Sequence, residues 1–187
     1  MNKVLKKYPT VGVCGLDCGL CPRYYTVGPS RCPGCCGPDF FNKHPSCSYI
    51  TCCVKKKDLE VCAQCSEFPC MKFKDVGDYD SFLTYQKVMS NQDFIKRYGI
   101  NEFIKQQRKR IKLLEAMLES FDEGRSKSFY CITATLLSTK GLEKSLSKVE
   151  KSGVIKIKAR NLKEILNETA VKEGVELKLR KFGRIPQ

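Results

Sequence analysis

The sequence has no tryptophan, a single histidine (His44), and no apolar run of membrane-spanning length in its 187 residues. A transmembrane helix needs about 20 consecutive apolar residues, so that class is excluded. With one histidine, a Ser–His or Cys–His nucleophile system would have to be built on His44. There is no G-x-S-x-G, no P-loop and no G-x-G-x-x-G, so the common signatures of serine hydrolases, nucleotide triphosphatases and dinucleotide enzymes are missing. The N-terminus, MNKVLKKYPTVGVCGL, has basic patches but no apolar stretch suited to a signal peptide. An intracellular, cytoplasmic chain with reduced thiols is expected. The second half is also short of breakers: after Pro69 the only proline is Pro186, and after Cys70 the only cysteine is Cys131.

What is abundant is cysteine. Twelve of the 13 lie at Cys14, Cys18, Cys21, Cys32, Cys35, Cys36, Cys47, Cys52, Cys53, Cys62, Cys65 and Cys70. C-x2-C recurs at Cys18/Cys21, Cys32/Cys35 and Cys62/Cys65. That spacing aims two thiolates at one ion from a tight turn, whereas disulfides need no local spacing. All twelve are therefore candidate metal ligands. They divide into three four-thiolate sites, or into two with thiols left over. Structural zinc in closed tetrahedral thiolate sites is the expected metal. The alternative is a 4Fe–4S cluster, for which thiolate-only ligation is equally native. The adjacent pairs Cys35–Cys36 and Cys52–Cys53 are awkward for one ion; they suit two neighbouring sites or leave a thiol free. His44 in FNKHPSC is a possible extra ligand, although a lone loop histidine is more often solvated. Asp17 reads as a carboxylate shaping the first knuckle, or as an acid/base group. Cys131, in the apolar pattern of Phe129, Ile132 and Leu136, reads as core.

The formal net charge is +14. Twelve thiolates holding three divalent ions, or three clusters in the +2 state, would bring it to about +8. The bare charge thus overstates the case for nucleic acid. Lys105, Arg108, Lys109 and Lys112, at helical spacing, form one basic face suited to phosphates, with Arg110 nearby. An ordinary solvated face, paired in part with Glu115 and Glu119, is the plainer expectation. Lys178, Arg180, Lys181 and Arg184 form a second basic group. No aromatics interleave with either, so base stacking is not suggested.

The chain reads as two segments. Residues 10–74 form a Cys/Pro/Gly-rich irregular module, too poor in apolar residues for a large core, so metal would supply its folding energy. Residues 75–187 carry helical periodicity. Asp80 is expected to cap a helix to about Met89, and Asn91 a short one ending at Gly99. From Asn101, the positions Phe103, Ile104, Ile111, Leu114, Leu118 and Phe121 make one stripe, ended by Gly124. Phe129, Ile132, Leu136 and Leu137 mark a further helix, with a strand as the alternative. Leu142, Leu146 and Val149 mark the next. Ile157, Leu162, Ile165, Leu166 and Val171 mark one running to Gly174. The alternation of Val175, Leu177 and Leu179 with Glu176, Lys178 and Arg180 predicts a short C-terminal strand, or an extended arm packed on one face. The fold class is thus mainly α: a Cys-rich irregular metal-binding module followed by a helical bundle with a short C-terminal strand.

The cysteine pattern resembles one known family. CGLDCGLC at 14–21, CPGC at 32–35, C-x4-C at 47–52 and CAQCSEFPC at 62–70 are similar to the domain of unknown function 3795 family. FDEGRSKSFYC at 121–131 and VELKLRK at 175–181 resemble its longer members. The resemblance implies metal binding and brings no reaction with it. Cys36 and Cys53 look like additions to the pattern. Separately, Cys14-x3-Cys18-x2-Cys21 has the spacing of radical S-adenosylmethionine enzymes, whose three thiolates leave one iron open. Those enzymes use a large α/β barrel, for which this chain lacks the strands. The expected function is a zinc-stabilised binding or adaptor module with a protein partner and no catalysis of its own. An iron–sulfur protein of redox or cofactor-assisted function and a metal-stabilised nucleic-acid binder are the alternatives.

Overall fold

The computed structural model describes residues 5–149 and 153–181. A 22-residue helix, α3 (Ile100–Phe121), is the spine of the fold. It is preceded by α2 (Val88–Tyr98) and followed by α4 (Lys127–Leu136), α5 (Thr139–Ser147) and α6 (Ile155–Lys172), all of which pack against it. A short helix, α1 (Phe40–Lys43), lies in the cysteine-rich segment. The stripe read from the sequence is the buried one. Phe103, Ile104, Leu114 and Phe121 face inward together with Met117, and Ile111 and Leu118 pack at its edge. Leu114, Met117, Leu142, Leu162 and Leu166 are fully buried in the main core. Trimming such a side chain to alanine typically costs about 2–5 kcal/mol. Among the described residues no helix is long and apolar enough to cross a membrane.

Polar groups close the helix ends. The Ser138 hydroxyl accepts the Gly141 amide at 2.9 Å and so caps α5. Glu173, just past α6, accepts from the Ser138 amide and hydroxyl at 2.8 and 2.6 Å, joining the two helices. Arg110 on α3 donates to the carbonyls of Ala134 and Leu137 at the end of α4, where the last carbonyls of a helix lack partners within it.

Several expectations are corrected. The helix expected from Asp80 to Met89 is absent; residues 80–86 form a loop, and one continuous helix, α2, follows. Asn91 lies inside that helix instead of capping a new one. Asp80 works as a latch. Its carboxylate accepts the Tyr85 amide at 2.7 Å, the Arg180 amide at 2.7 Å and the Arg180 guanidinium at 3.0 Å. Burial pushes this carboxyl up, but the Arg180 and Tyr85 hydrogen bonds outweigh that and hold it low. The C-terminal strand does not form among the described residues. Residues 175–181 follow an irregular path, bent where the Lys178 amide donates to the Glu176 carbonyl at 3.0 Å and pinned where the Asp80 amide also donates to the Arg180 carbonyl at 2.9 Å. A single pinned residue with no adjacent strand gives no ladder. The alternation holds as far as Leu179: Val175, Leu177 and Leu179 are half-buried and Glu176 and Lys178 exposed, but Arg180, expected on the exposed side, is half-buried against Asp80.

In α6 the buried face is Ala159, Leu162, Leu166 and Ala170, while Ile157 and Val171 are exposed. The YCITATLL stretch is helical, not a strand. Val149 lies beyond the end of α5 yet is buried. Arg184 and Pro186 lie outside the described residues.

Candidate metal centre

Two of the three C-x2-C motifs fold into the same backbone turn. Cys18–Leu20 and Cys62–Gln64 are single 3-10 turns, each ended by the second cysteine of its pair. The Cys21 amide donates to the Cys18 carbonyl at 3.2 Å, and the Cys65 amide to the Cys62 carbonyl at 2.9 Å. Cys21 and Cys65 leave their turns with matching φ, ψ of −79°, 135° and −79°, 134°. The third pair differs: Gly34, inside it, has φ +85°, and the Cys35 amide reaches back to the Pro9 carbonyl at 2.8 Å.

The cysteines gather in two groups. Cys14, Cys18, Cys21, Cys32, Cys35 and Cys47 line a cavity of about 430 Å³. Cys52, Cys53, Cys62, Cys65 and Cys70 line a much smaller one, about 30 Å³. Cys36 lines neither; it is fully buried behind Cys35, at φ +57°. A π-helical segment, Ile50–Lys56, carries Cys52 and Cys53 to the second group, while Cys47 just ahead of it stays in the first. The Phe68–Pro69 peptide before Cys70 is cis. All thirteen cysteines are free thiols. Among the described residues, no set of three or more histidine, cysteine or carboxylate side chains is drawn together as metal ligands. The structure thus sorts the candidate thiols into neighbourhoods without converging them.

Helices α2 and α3 hold both turns from behind. The buried Gln92 side chain accepts the Ala63 amide at 2.7 Å and donates to the Val13 carbonyl at 2.9 Å. Ala63 sits inside the Cys62 turn, and Val13 precedes Cys14. Asp17 is buried, and its carboxylate accepts the side-chain amides of Asn91 at 2.8 Å and Gln107 at 3.0 Å. It shapes the first knuckle, as one reading of the sequence held, but through distant helices and not through its own backbone. Burial pushes this carboxyl up, against the two amide donors and the Arg110 charge. Gly15 has φ +94°, and a Cβ there would meet Gln92 Cγ at 2.7 Å and the Val88 carbonyl at 2.9 Å. Only glycine lets the Cys14 turn lie this close to α2.

Burial keeps several of these thiols protonated. Burial pushes the Cys14 thiol up to about 12 and also raises Cys18 and Cys21. A desolvated thiolate is unfavourable until a positive charge accompanies it. In two pairs a neighbouring thiol supplies a hydrogen bond: the one between Cys35 and Cys36 lowers Cys35 and raises Cys36, and the one between Cys53 and Cys62 lowers Cys53 and raises Cys62. Lys6 has a side chain only 1% exposed. It donates to the Val11 carbonyl at 2.8 Å, and its charge favours the thiolates of Cys18, Cys35, Cys36 and Cys53. Glu60 is 3.8 Å away. In the second group the Lys57 ammonium lies 3.2 Å from Cys65 Sγ and 2.6 Å from Glu67.

His44 is exposed and stacks on Phe40 at 4.5 Å between centroids, with Nδ1 2.9 Å from the Pro45 carbonyl. Cys131 is fully buried in the main core, near Cys21. Lys105, Arg108, Lys109 and Lys112 are all exposed on α3. Lys105 pairs with Glu102 at 2.8 Å, up the helix instead of down it. Arg110 turns inward to α4 and leaves that face. Arg180 of the second basic group is engaged by Asp80.

Sequence reasoning missed Lys6, Gln92 and Gln107. Their only signal was a polar residue at a position the helical period or the adjoining pattern would make buried. No protein-family model, no curated protein and no solved structure matches this chain.

Proposed function

We propose that this chain is a thiolate metalloprotein with two centres of different kind. The observation that carries the reading is the repeated turn: the same C-x2-C knuckle occurs once in each of two adjoining thiol groups, which line different cavities. The buried Lys6 supports it, because its ammonium, only partly offset by Glu60 at 3.8 Å, favours the thiolate form of several cysteines around it.

The second group would hold zinc. Cys52, Cys62, Cys65 and Cys70 supply four sulfurs around a space little larger than an ion, and Cys53 remains the partner of Cys62. Zinc there would be structural, tying the π-helical segment to the Cys62 turn. The first group surrounds far more space than a closed tetrahedral site encloses. That room favours an iron–sulfur cluster, which Cys14, Cys18 and Cys21 with Cys35 or Cys47 would hold. Such a cluster would supply one-electron or Lewis-acid chemistry, and the chain itself would orient it, with Lys6 offsetting part of its charge. The resemblance of the cysteine spacing to the domain of unknown function 3795 family is part of this proposal.

The test is metal and sulfide content of protein purified without oxygen, read with the visible spectrum. The expected result is one zinc per chain, together with iron and matching sulfide and a broad absorption in the violet. Colourless protein with zinc in both groups would overturn the cluster. Protein without bound metal would overturn the whole reading. Cys18→Ser should remove the iron and keep the zinc, and Cys65→Ser the reverse.

A further inference from the structure

We infer that the larger cavity is also a binding site for a small organic anion, a molecule with an apolar body and a carboxylate or phosphate head. The inference rests on the two-centre reading only for what lies at the cavity floor. Its volume, about 430 Å³, lies within the range of small-ligand pockets, roughly 300–1,000 Å³. One metal centre leaves much of that space over.

The walls and the mouth differ in chemistry. Phe40, Phe82, Leu83 and Ile50 give the lining an apolar share beside the thiols. The charged side chains of the lining are Arg23 and Lys43, and among the described residues no carboxylate lines the cavity. Arg23 is half-buried, and its guanidinium lies over the ring of the exposed Phe82 at 5.2 Å. A guanidinium so placed keeps N–H groups for a bidentate anion. Lys43 is exposed at the end of α1, with its ammonium 3.3 Å from the Arg31 carbonyl, and keeps further donors for a ligand. The stacked His44–Phe40 pair forms a flat rim suited to a planar group. A cationic mouth over an apolar chamber selects a molecule that is anionic at one end and apolar at the other.

The competing role for the two cations is to offset the negative charge of the thiolate centre beneath them, with no ligand involved. Binding to the protein as purified separates the roles. The probes are phenylacetate against phenylacetamide, and phenyl phosphate against phenol, titrated by calorimetry with metal content measured on each sample. The acid or the phosphate should bind about tenfold more tightly than its neutral counterpart. The double variant Arg23→Gln, Lys43→Gln should abolish that preference at unchanged metal content, and Lys109→Gln on the far side of α3 should keep it. Preference for phenylacetate alone assigns a carboxylate head, and for phenyl phosphate alone a phosphate head. Equal binding of charged and neutral probes, or a preference that survives the double variant, overturns the inference. If the preference holds in protein that carries no metal, the two-centre reading falls and the pocket stands.

Discussion

Gln92→Met tests whether α2 is the scaffold of both cysteine groups. Methionine keeps the length of the side chain, so no cavity opens and the loss is confined to the amide. The Ala63 N–H would lose its acceptor at 2.7 Å in a buried position. An orphaned buried donor costs about 1–3 kcal/mol. The Val13 carbonyl would keep the Cys62 amide at 2.9 Å and lose only the Gln92 donor. That second loss is worth about 1 kcal/mol. The sum is about 3 kcal/mol, a large share of the roughly 5–15 kcal/mol typical of a domain. Urea unfolding followed by circular dichroism, at verified metal content, reads this as a lower midpoint with unchanged slope. The Ala63 amide should also exchange faster with deuterium. A change below about 1 kcal/mol with Ala63 still protected would refute the reasoning, since the orphaned donor would then have found another partner.

Asp80→Asn should release residues 175–181 from the loop at 80–86, at a cost of about 2 kcal/mol, below the value for a fully buried pair because Arg180 is partly exposed. Limited proteolysis after α6 would report it, and unchanged resistance would refute the latch. Because the folded state holds the Asp80 carboxyl low, its contribution is complete above the unfolded carboxylate value and is lost as pH falls through the folded one. The wild-type arm should therefore loosen only in acid, and loosening near neutral pH would contradict the assignment. Lys6→Met should weaken metal retention by about tenfold in chelator competition, since the thiolates lose a buried counter-charge; unchanged retention would remove Lys6 from the centre. Cys131→Ser should lower stability by about 1–2 kcal/mol through a buried hydroxyl and leave metal content unchanged; a stoichiometric loss of metal would make Cys131 a ligand.

The parts of the fold legible in the sequence are those set by local chemistry. The stripe from Phe103 to Phe121 places α3, and Gly99, at φ +86°, marks the break before it. The C-x2-C spacing marks two turns that do fold alike. What could not be read depends on partners far along the chain. Asn91 and Asp80 carry the residue types of helix caps, yet their side chains are engaged by Asp17 and Arg180, 74 and 100 residues away. Ile157 and Val171 look like core by period, but in α6 the small Ala159 and Ala170 occupy the buried face. The sorting of thiols into two groups hangs on the π-helical segment at Ile50–Lys56, which no simple periodicity announces.

The Val13 carbonyl receives the backbone of the Cys62 turn and the side chain of Gln92, one residue before Cys14. One oxygen therefore serves as a common hinge pin for the two thiol neighbourhoods. Whatever orders the Cys14 turn also fixes the acceptor on which the Cys62 turn rests, and the reverse is equally true. The ordering entropy of the second neighbourhood is thus partly met when the first is filled. Filling one neighbourhood should therefore raise the metal affinity of the other, so a variant emptied at one centre should still load the second but release its metal more readily to a chelator.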